Sequence, residues 1–156
     1  MFMRILVVSD SHNDVSGLRC AIDAQPAARM IIHLGDGERD MDALNGIFGE
    51  KKIVQVRGNW DFNPLIPYNC VEMAEGKRIF CTHGQREDVK HGTGELKSIA
   101  RSEQADLALF GHTHMPEIEY DEGLYLFNPG SIKEGDYGVV DITGAGIVCV
   151  KMRLDF

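Results

Sequence analysis

The first part of the chain alternates apolar, β-branched runs with amphipathic segments, and this alternation restricts the fold more than any other feature. Three apolar runs lie at 4–10, 29–36 and 52–59. Each run is typical of a strand that is buried on both faces of a sheet. Helices are predicted between them, over 14–25 with a side-chain cap at its start and over roughly 38–48. This order, βαβαβ, predicts parallel strands.

Antiparallel hairpins replace the alternation in the second half of the chain. Two short strands are predicted around the turn at 75–76, and a helix near 94–103 leads into a strand at 106–111. Two further hairpins turn at 121–123 and at 143–146. A mixture of parallel and antiparallel strands predicts two packed sheets with helices outside them, rather than one doubly wound sheet.

Length and charge limit the class of protein and its partners. The chain of 156 residues contains no repeat or linker, so residues 1–156 are expected to form a single domain. Because Asp and Glu outnumber Lys and Arg by 24 to 16, a nucleic-acid polymer is not expected as a partner. No run approaches the ~20 apolar residues that cross a bilayer, and the start lacks a secretory cleavage site. We therefore expect a cytoplasmic protein, as a monomer or a homo-oligomer.

The four cysteines are scattered and form no C-x-x-C pair. They are Cys20, Cys70, Cys81 and Cys149, and each lies among apolar neighbours. Buried free thiols in a reducing cytoplasm are favoured over disulfides or a zinc ribbon.

Asp, Asn and His residues follow the predicted strands at the points where the strands end. They are Asp10, His12, Asp36, Asn59, His83, His112 and His114. Ligands of such sheet proteins bind in the crevice beyond the carboxyl ends of the strands, so these seven side chains are expected to converge. Asp-x-His and His-x-His also place two donors on the same side of an extended segment. Carboxylate, imidazole and amide donors without a thiolate favour ions such as Mn²⁺, Fe²⁺ or Zn²⁺.

Each of these motifs is weak alone, but their order along the chain is specific. The motifs are Asp-Ser-His at 10–12, Gly-Asp at 35–36, Gly-Asn-Trp-Asp at 58–61, His-Gly at 83–84 and Gly-His-Thr-His at 111–114. With them the chain resembles the calcineurin-like metallophosphoesterase superfamily. Asn-Pro-Gly-Ser at 128–131 is similar to a segment of its small bacterial and archaeal phosphodiesterase branch.

The resemblance implies an α/β protein, an αββα sandwich of two mixed β-sheets flanked by helices. It also implies two divalent metal ions, Mn²⁺ first and Fe²⁺, Zn²⁺, Ni²⁺ or Co²⁺ as alternatives. One ion is expected on Asp10, His12 and His114. The other is expected on Asn59, His83 and His112, with Asp36 as the bridge.

The activity implied by the resemblance is hydrolysis of a small-molecule phosphate ester by a water that the two ions share. A phosphodiesterase is expected rather than a phosphomonoesterase. The rival hypothesis is a metal-binding scaffold, because a related subunit of the endosomal retromer complex keeps this fold and uses its surfaces for protein partners.

Two positions depart from the family pattern. Trp60 stands where many members carry a His that contacts the phosphate or protonates the leaving group, and indole cannot act as a general acid. Gln85 stands where the small branch often has another His. Leaving-group protonation must therefore come from water, a metal-bound group or another side chain, and Lys90 and His91 are the candidate side chains.

Several polar residues have a plain interpretation beside a functional one. A core or supporting histidine is favoured over a metal ligand at His33, and a solvated residue over a substrate contact at His91. Asp61 is interpreted equally well as a turn residue and as a residue that orients its neighbours. Ser131 is expected to be a hydrogen-bonding loop residue rather than a nucleophile.

Overall fold

The first β-sheet combines the βαβαβ opening with the last hairpin. A computed structural model describes residues 2–155 of the chain. The strands of this sheet are β1 (Phe2–Val8), β2 (Met30–His33), β3 (Lys52–Gln55), β9 (Asp136–Thr143) and β10 (Gly146–Arg153). Their order is β10-β9-β1-β2-β3, with β1, β2 and β3 parallel and the β9–β10 hairpin antiparallel to β1.

The second sheet is built from the middle of the chain. Its strands are β4 (Asn69–Ala74), β5 (Lys77–Thr82), β6 (Leu107–Leu109), β7 (Glu117–Asp121) and β8 (Leu124–Asn128). The order is β4-β5-β6-β8-β7, in which β5, β6 and β8 are parallel and the two edge strands are antiparallel. Both sheets are therefore mixed and five-stranded.

The two sheets pack face to face, and helices cover their outer faces. Val7 of β1 and Ile79 of β5 belong to one buried cluster between the sheets. Leu6, the neighbour of Val7, points outward and packs with residues of α1 (Val15–Ala24) and α2 (Glu38–Ala43), as the period of two in a strand requires. On the other side, α3 (Gly94–Ser102) packs against β5, β6 and β8. The predicted αββα sandwich is thus confirmed.

Local differences from the predicted elements have simple causes. The helix predicted over 38–48 ends at Ala43, because the chain turns at Gly46, which has φ 104°, a value that favours glycine. The predicted N-cap Asp14 is correct, since its carboxylate accepts from the Gly17 N–H at 2.9 Å. Strands β2 and β3 stop at His33 and Gln55, where their pairing ends, and the residues after them form loops.

The cysteine prediction is right about free thiols and wrong about uniform burial. All four cysteines are free, and Cys81 is fully buried. Cys20 is exposed, because the period of α1 directs Leu18 and Ala21 to the core and Cys20 to the outside.

Of the helices within residues 2–155, none has the length and apolar character that a membrane crossing requires.

Candidate metal centre

Six of the seven predicted donors meet at one end of the sandwich, beyond the carboxyl ends of the parallel strands. The loops that carry them are joined by backbone hydrogen bonds. Asp10 N–H donates to the Gly35 carbonyl at 2.9 Å, which ties the loop after β1 to the loop after β2. Gly111 N–H donates to the His83 carbonyl at 2.8 Å, which ties the two donor loops of the second sheet together.

The first donor group consists of Asp10, His12 and His114. Asp10 Oδ1 lies 3.2 Å from His114 Nε2 and 3.5 Å from His12 Nε2. Within the described part of the chain, Asp10 Oδ1 and His12 Nε2 are buried and have no hydrogen-bond partner. Buried polar atoms are nearly always satisfied in native proteins. A cation between these atoms would satisfy both of them, so the donor set fits a metal ion.

The second donor group consists of Asp10, Asp36 and His83, whose donor atoms lie within 4.8 Å of one another. His83 Nε2 is 3.2 Å from Asp36 Oδ2 and 3.9 Å from Asp10 Oδ1. His112 Nδ1 is 3.2 Å from the same His83 nitrogen. Asp36 Oδ2 is also 3.6 Å from His12 Nε2, so this oxygen lies between the two groups.

Asn59 is the predicted donor that no side-chain hydrogen bond joins to the other six within residues 2–155. The residue is exposed. Its backbone neighbours are nevertheless fixed beside the cluster. Gly58 N–H donates to Asp61 at 2.9 Å, and Trp60 N–H donates to Asp36 Oδ1 at 2.9 Å.

In Asp10 and in Asp36, one carboxylate oxygen accepts hydrogen bonds from neighbouring residues. The other oxygen faces histidine side chains. Asp10 Oδ2 accepts from Ser9 Oγ at 2.5 Å and from His112 N–H at 3.1 Å. Asp36 Oδ1 accepts from Trp60 N–H. The remaining oxygens, Oδ1 of Asp10 and Oδ2 of Asp36, face the imidazole rings, so hydrogen bonds to the protein fix the orientation of both carboxylates.

The backbone at the donors adopts an uncommon conformation. Positive φ angles occur at Asp10 (53°), His12 (40°), Asp36 (62°), His112 (72°) and His114 (63°). Non-glycine residues seldom adopt this left-handed region, and each such residue costs on the order of 1 kcal/mol. Strain of this kind persists only where the surroundings enforce it, and its concentration on five donors marks the loops as a functional site.

Asp61 is interpreted from the sequence equally well as a turn residue and as a residue that orients its neighbours. Its hydrogen bonds support the second interpretation. Its Oδ2 accepts from Asp36 N–H at 2.7 Å and from Gly58 N–H at 2.9 Å. Its Oδ1 accepts from the Gly37 and Glu38 N–H groups at 3.1 and 3.2 Å. One buried carboxylate therefore fixes the turn after β2 against the turn after β3.

His33 supports the site from behind and does not enter it. Its Nδ1 accepts from Gly35 N–H at 3.1 Å, and its Nε2 lies 3.0 Å from Ser11 Oγ, which in turn donates to Asp40 at 2.6 Å. Burial lowers the His33 pKa. Because Nδ1 accepts the Gly35 N–H, the ring proton lies on Nε2 and faces Ser11 Oγ. The predicted core role is correct.

Sequence reasoning missed the supporting partners Ser9, Ser11 and Asp40. All three are buried polar residues. The two serines flank Asp10 in the sequence, and this position could have indicated a supporting role for them. No sequence signal indicated Asp40.

The charges of the cluster shift its pKa values in opposite directions. Burial alone would raise the pKa of Asp36, but the hydrogen bond and charge of His83 outweigh it and lower that pKa to about 2. Burial likewise works against ionisation of His83, yet Asp36 and Asp10 raise its pKa. Burial and the charges of His83 and Lys90 lower the pKa of His112. The site therefore concentrates negative charge on carboxylates that face imidazoles, as a cation site requires.

Residues at the rim are exposed to solvent. Trp60 is 67% exposed, and Lys90 is close enough to influence the His112 pKa. His91 is exposed and pairs with Asp88 at 2.6 Å, which supports the solvated interpretation. Ser131 is buried, donates to the Asp10 carbonyl at 2.8 Å and accepts from Lys133 N–H, as expected for a loop hydrogen-bonding residue.

A comparison of the chain with family models agrees with the fold and with the cluster of candidate donors. The family model of the calcineurin-like phosphoesterase superfamily domain matches residues 3–145. The chain therefore belongs to the calcineurin-like phosphoesterase superfamily.

Individual relatives include an enzyme named for its activity. The phosphodiesterase YfcE of Escherichia coli is 29% identical over 171 aligned residues, which cover 89% of this chain and 88% of that protein. A predicted phosphoesterase from Streptococcus pneumoniae has a structure similar to this one, with a TM-score of 0.83, 27% identity and coverage of 98% and 90%. Vacuolar protein sorting 29 from Cryptosporidium parvum shares the fold at a TM-score of 0.73 and 18% identity, with 99% of both chains covered.

Proposed function

We propose that this chain is a phosphodiesterase that depends on two divalent metal ions. The observation that carries the proposal is the pair of donor groups around Asp10 and Asp36, in which Asp10 Oδ1 and His12 Nε2 are buried without a partner. Bound ions supply Lewis acidity and neutralise the charge that develops on the phosphate oxygens. Mn²⁺ is the ion proposed first.

The proposed ligand sets follow the two groups of side chains. Asp10, His12 and His114 hold one ion, as their distances of 3.2 and 3.5 Å support. Asn59, His83 and His112 hold the other ion. Asp36 lies between the sets, supported by the positions of His12 and His83 on either side of its Oδ2.

The residues around the ligands position them and take no part as nucleophiles. Ser9 and the Trp60 N–H hold one oxygen of each carboxylate, and Asp61 holds the backbone of Asp36. Ser131 already uses its hydroxyl in a buried hydrogen bond, so the attacking group comes from water. Leaving-group protonation has no donor at Trp60, and Lys90 is the candidate whose charge lowers the pKa of His112.

The proposed substrate is a small phosphodiester. Support comes from the name of the relative YfcE, a phosphodiesterase. A cavity of about 250 Å³ adjoins the donors and is lined in part by His12, Asp36 and Trp60. Drug-sized ligands usually occupy roughly 300 to 1,000 Å³, so this cavity suits a small group rather than a polymer.

The experiment that tests this function is a hydrolysis panel with metal-reconstituted protein. Aryl phosphodiesters, aryl phosphomonoesters and alkyl diesters are offered with Mn²⁺, Zn²⁺, Fe²⁺, Ni²⁺ or Co²⁺ in turn. We expect aryl diesters to be hydrolysed faster than the matched monoesters. Stoichiometric metal binding without turnover of any ester would instead support the scaffold hypothesis.

A further inference from the structure

An open cavity extends from the proposed metal centre along the loop at 60–62. His12 and Asp36 line its inner side, and Trp60 and Phe62 line its outer side. Because two donors of the centre form part of its wall, an ester bound at the centre can extend a substituent into this cavity. Its volume of about 250 Å³ is near the lower end for ligand pockets, which suits one ring system.

The two aromatic side chains are exposed on a backbone that is held in place. Trp60 is 67% exposed and Phe62 is 75% exposed. Trp60 N–H donates to Asp36 Oδ1 at 2.9 Å, and Phe62 N–H donates to Glu38 Oε1 at 3.0 Å. The backbone of this loop is already ordered by these hydrogen bonds. Stacking of a ring on the two side chains therefore costs little further backbone entropy.

Most polar groups of the cavity wall already have partners. Both oxygens of Glu38 accept backbone N–H groups, from Phe62 and Asn63. Asp61 accepts four backbone N–H groups with its two oxygens. Arg39 differs, because it is exposed and forms no ion pair within residues 2–155. The wall thus offers two aromatic faces, the cation of Arg39 and the exposed side-chain amide of Asn13.

We infer that Trp60 and Phe62 form a subsite for a planar aromatic ring carried by the phosphodiester, such as a nucleobase or an aryl group. The inference rests on the proposed function, since the ring belongs to the ester that binds at the centre. Stacking uses the face of the ring and tolerates any ring identity. Arg39 complements the negative charge of the ester.

The activity test uses two diesters with the same leaving group. Benzyl para-nitrophenyl phosphate and cyclohexylmethyl para-nitrophenyl phosphate both release para-nitrophenolate, and a methylene and the ester oxygen separate each retained ring from phosphorus. They differ in whether the retained ring is planar. We expect the benzyl ester to be favoured about fivefold in kcat/KM, mainly through KM.

Variants assign this preference to the loop. Trp60→Ala should abolish the preference for benzyl, Phe62→Ala should reduce it, and Trp60→Phe should keep most of it. Leu65→Ala is the matched control, because Leu65 is 89% exposed in the same loop and does not line the cavity. The control should leave both kinetic constants unchanged.

A binding test does not depend on turnover. Trp60 is the only tryptophan of the chain, so fluorescence excited at wavelengths that tyrosine does not absorb reports on this side chain alone. Zn²⁺ is used to load the protein because it is a d¹⁰ ion without redox chemistry. Benzylphosphonate should change the fluorescence saturably and bind about fivefold more tightly than cyclohexylmethylphosphonate.

The possible results distinguish a failure of the aromatic subsite from a failure of the proposed phosphodiesterase function. A benzyl preference that survives Trp60→Ala would overturn the subsite and leave the phosphodiesterase intact. Equal rates for the two diesters would do the same when the affinities for the two phosphonates, which carry no para-nitrophenyl ring that could occupy the subsite, are also equal. Absence of hydrolysis would overturn the phosphodiesterase, and the fluorescence titration would then decide the subsite. Equal affinity for the two phosphonates would overturn it.

Discussion

The carboxylate of Asp61 fixes the backbone of Asp36. Its Oδ2 accepts from the Asp36 N–H at 2.7 Å, and Asp36 has the left-handed φ of 62°. The same oxygen accepts from Gly58 N–H, so one atom joins the turns after two parallel strands. The orientation of Asp36 in the cluster therefore depends on a residue that touches no histidine of the site.

Asp61→Asn should weaken metal binding without removing a ligand. The amide replaces one acceptor oxygen by an NH₂ group that faces backbone donors, so the turn loosens. Loss of such a supporting partner typically costs 10 to 100-fold in metal affinity. Isothermal titration with Zn²⁺ measures the change, and Asp42→Asn, at an exposed position of α2, is the matched control. Equal affinities of the two variants would contradict the positioning role.

Asp36→Ala should be the most harmful single substitution in the centre. Its Oδ2 lies 3.2 Å from His83 and 3.6 Å from His12, so the substitution removes a carboxylate from between both donor groups. The two cations would then repel each other with less compensation. We expect a loss of more than about 100-fold in metal affinity and turnover. Full turnover with both ions retained would show that Asp36 is not the bridge.

The rate of hydrolysis should depend steeply on the pKa of the leaving group. Trp60 cannot protonate a departing alkoxide, and general acids typically contribute 10² to 10⁴-fold. Aryl diesters should therefore react far faster than alkyl diesters, and Trp60→His should help the alkyl esters selectively. The measurement is a series of substituted diesters with chemistry rate-limiting. A shallow dependence would reveal another acid, with Lys90 as the first residue to substitute.

The four thiols should react in a fixed order. Cys20 is exposed, whereas burial raises the pKa of Cys149 to about 12. The neighbouring Cys70 thiol and burial raise the pKa of Cys81 well above its usual value, while the Cys81 thiol lowers the pKa of Cys70. The thiolate is the reactive form. At about pH 8, a disulfide reagent should modify Cys20 first and Cys70 next, with Cys81 and Cys149 after unfolding.

Removal of the fastest thiol is the control for this order. Cys20→Ser should eliminate the fastest phase and leave the others unchanged. Four equal rates in the folded protein would contradict the burial of Cys81 and the raised pKa of the partly buried Cys149.

The sequence predicted the sandwich because the periodicity of its strands is local. Strand β1 alternates residues between two buried clusters, as with Leu6 and Val7, and the donors follow strand ends that sequence patterns can detect. Asp14 was predictable as a cap for the same reason. The early end of α2 depends on Gly46, a turn residue that the apolar pattern does not reveal.

The supporting hydrogen bonds of the site could not be predicted in this way. Whether Ser9 contacts Asp10 or solvent depends on the packing of the loops at the site. The four N–H groups that reach Asp61 come from turns after two different strands, so their convergence requires the tertiary structure. Local sequence patterns predicted the candidate donors, but the residues that hold them could be assigned only from the fold.

The most direct test of the central claim is metal content measured together with turnover on the same sample. Elemental analysis of reconstituted protein should give two divalent ions per chain, and hydrolysis of an aryl diester should disappear in excess chelator and return on adding metal. Full hydrolysis by protein that contains no metal, in excess chelator, would contradict the dinuclear phosphodiesterase.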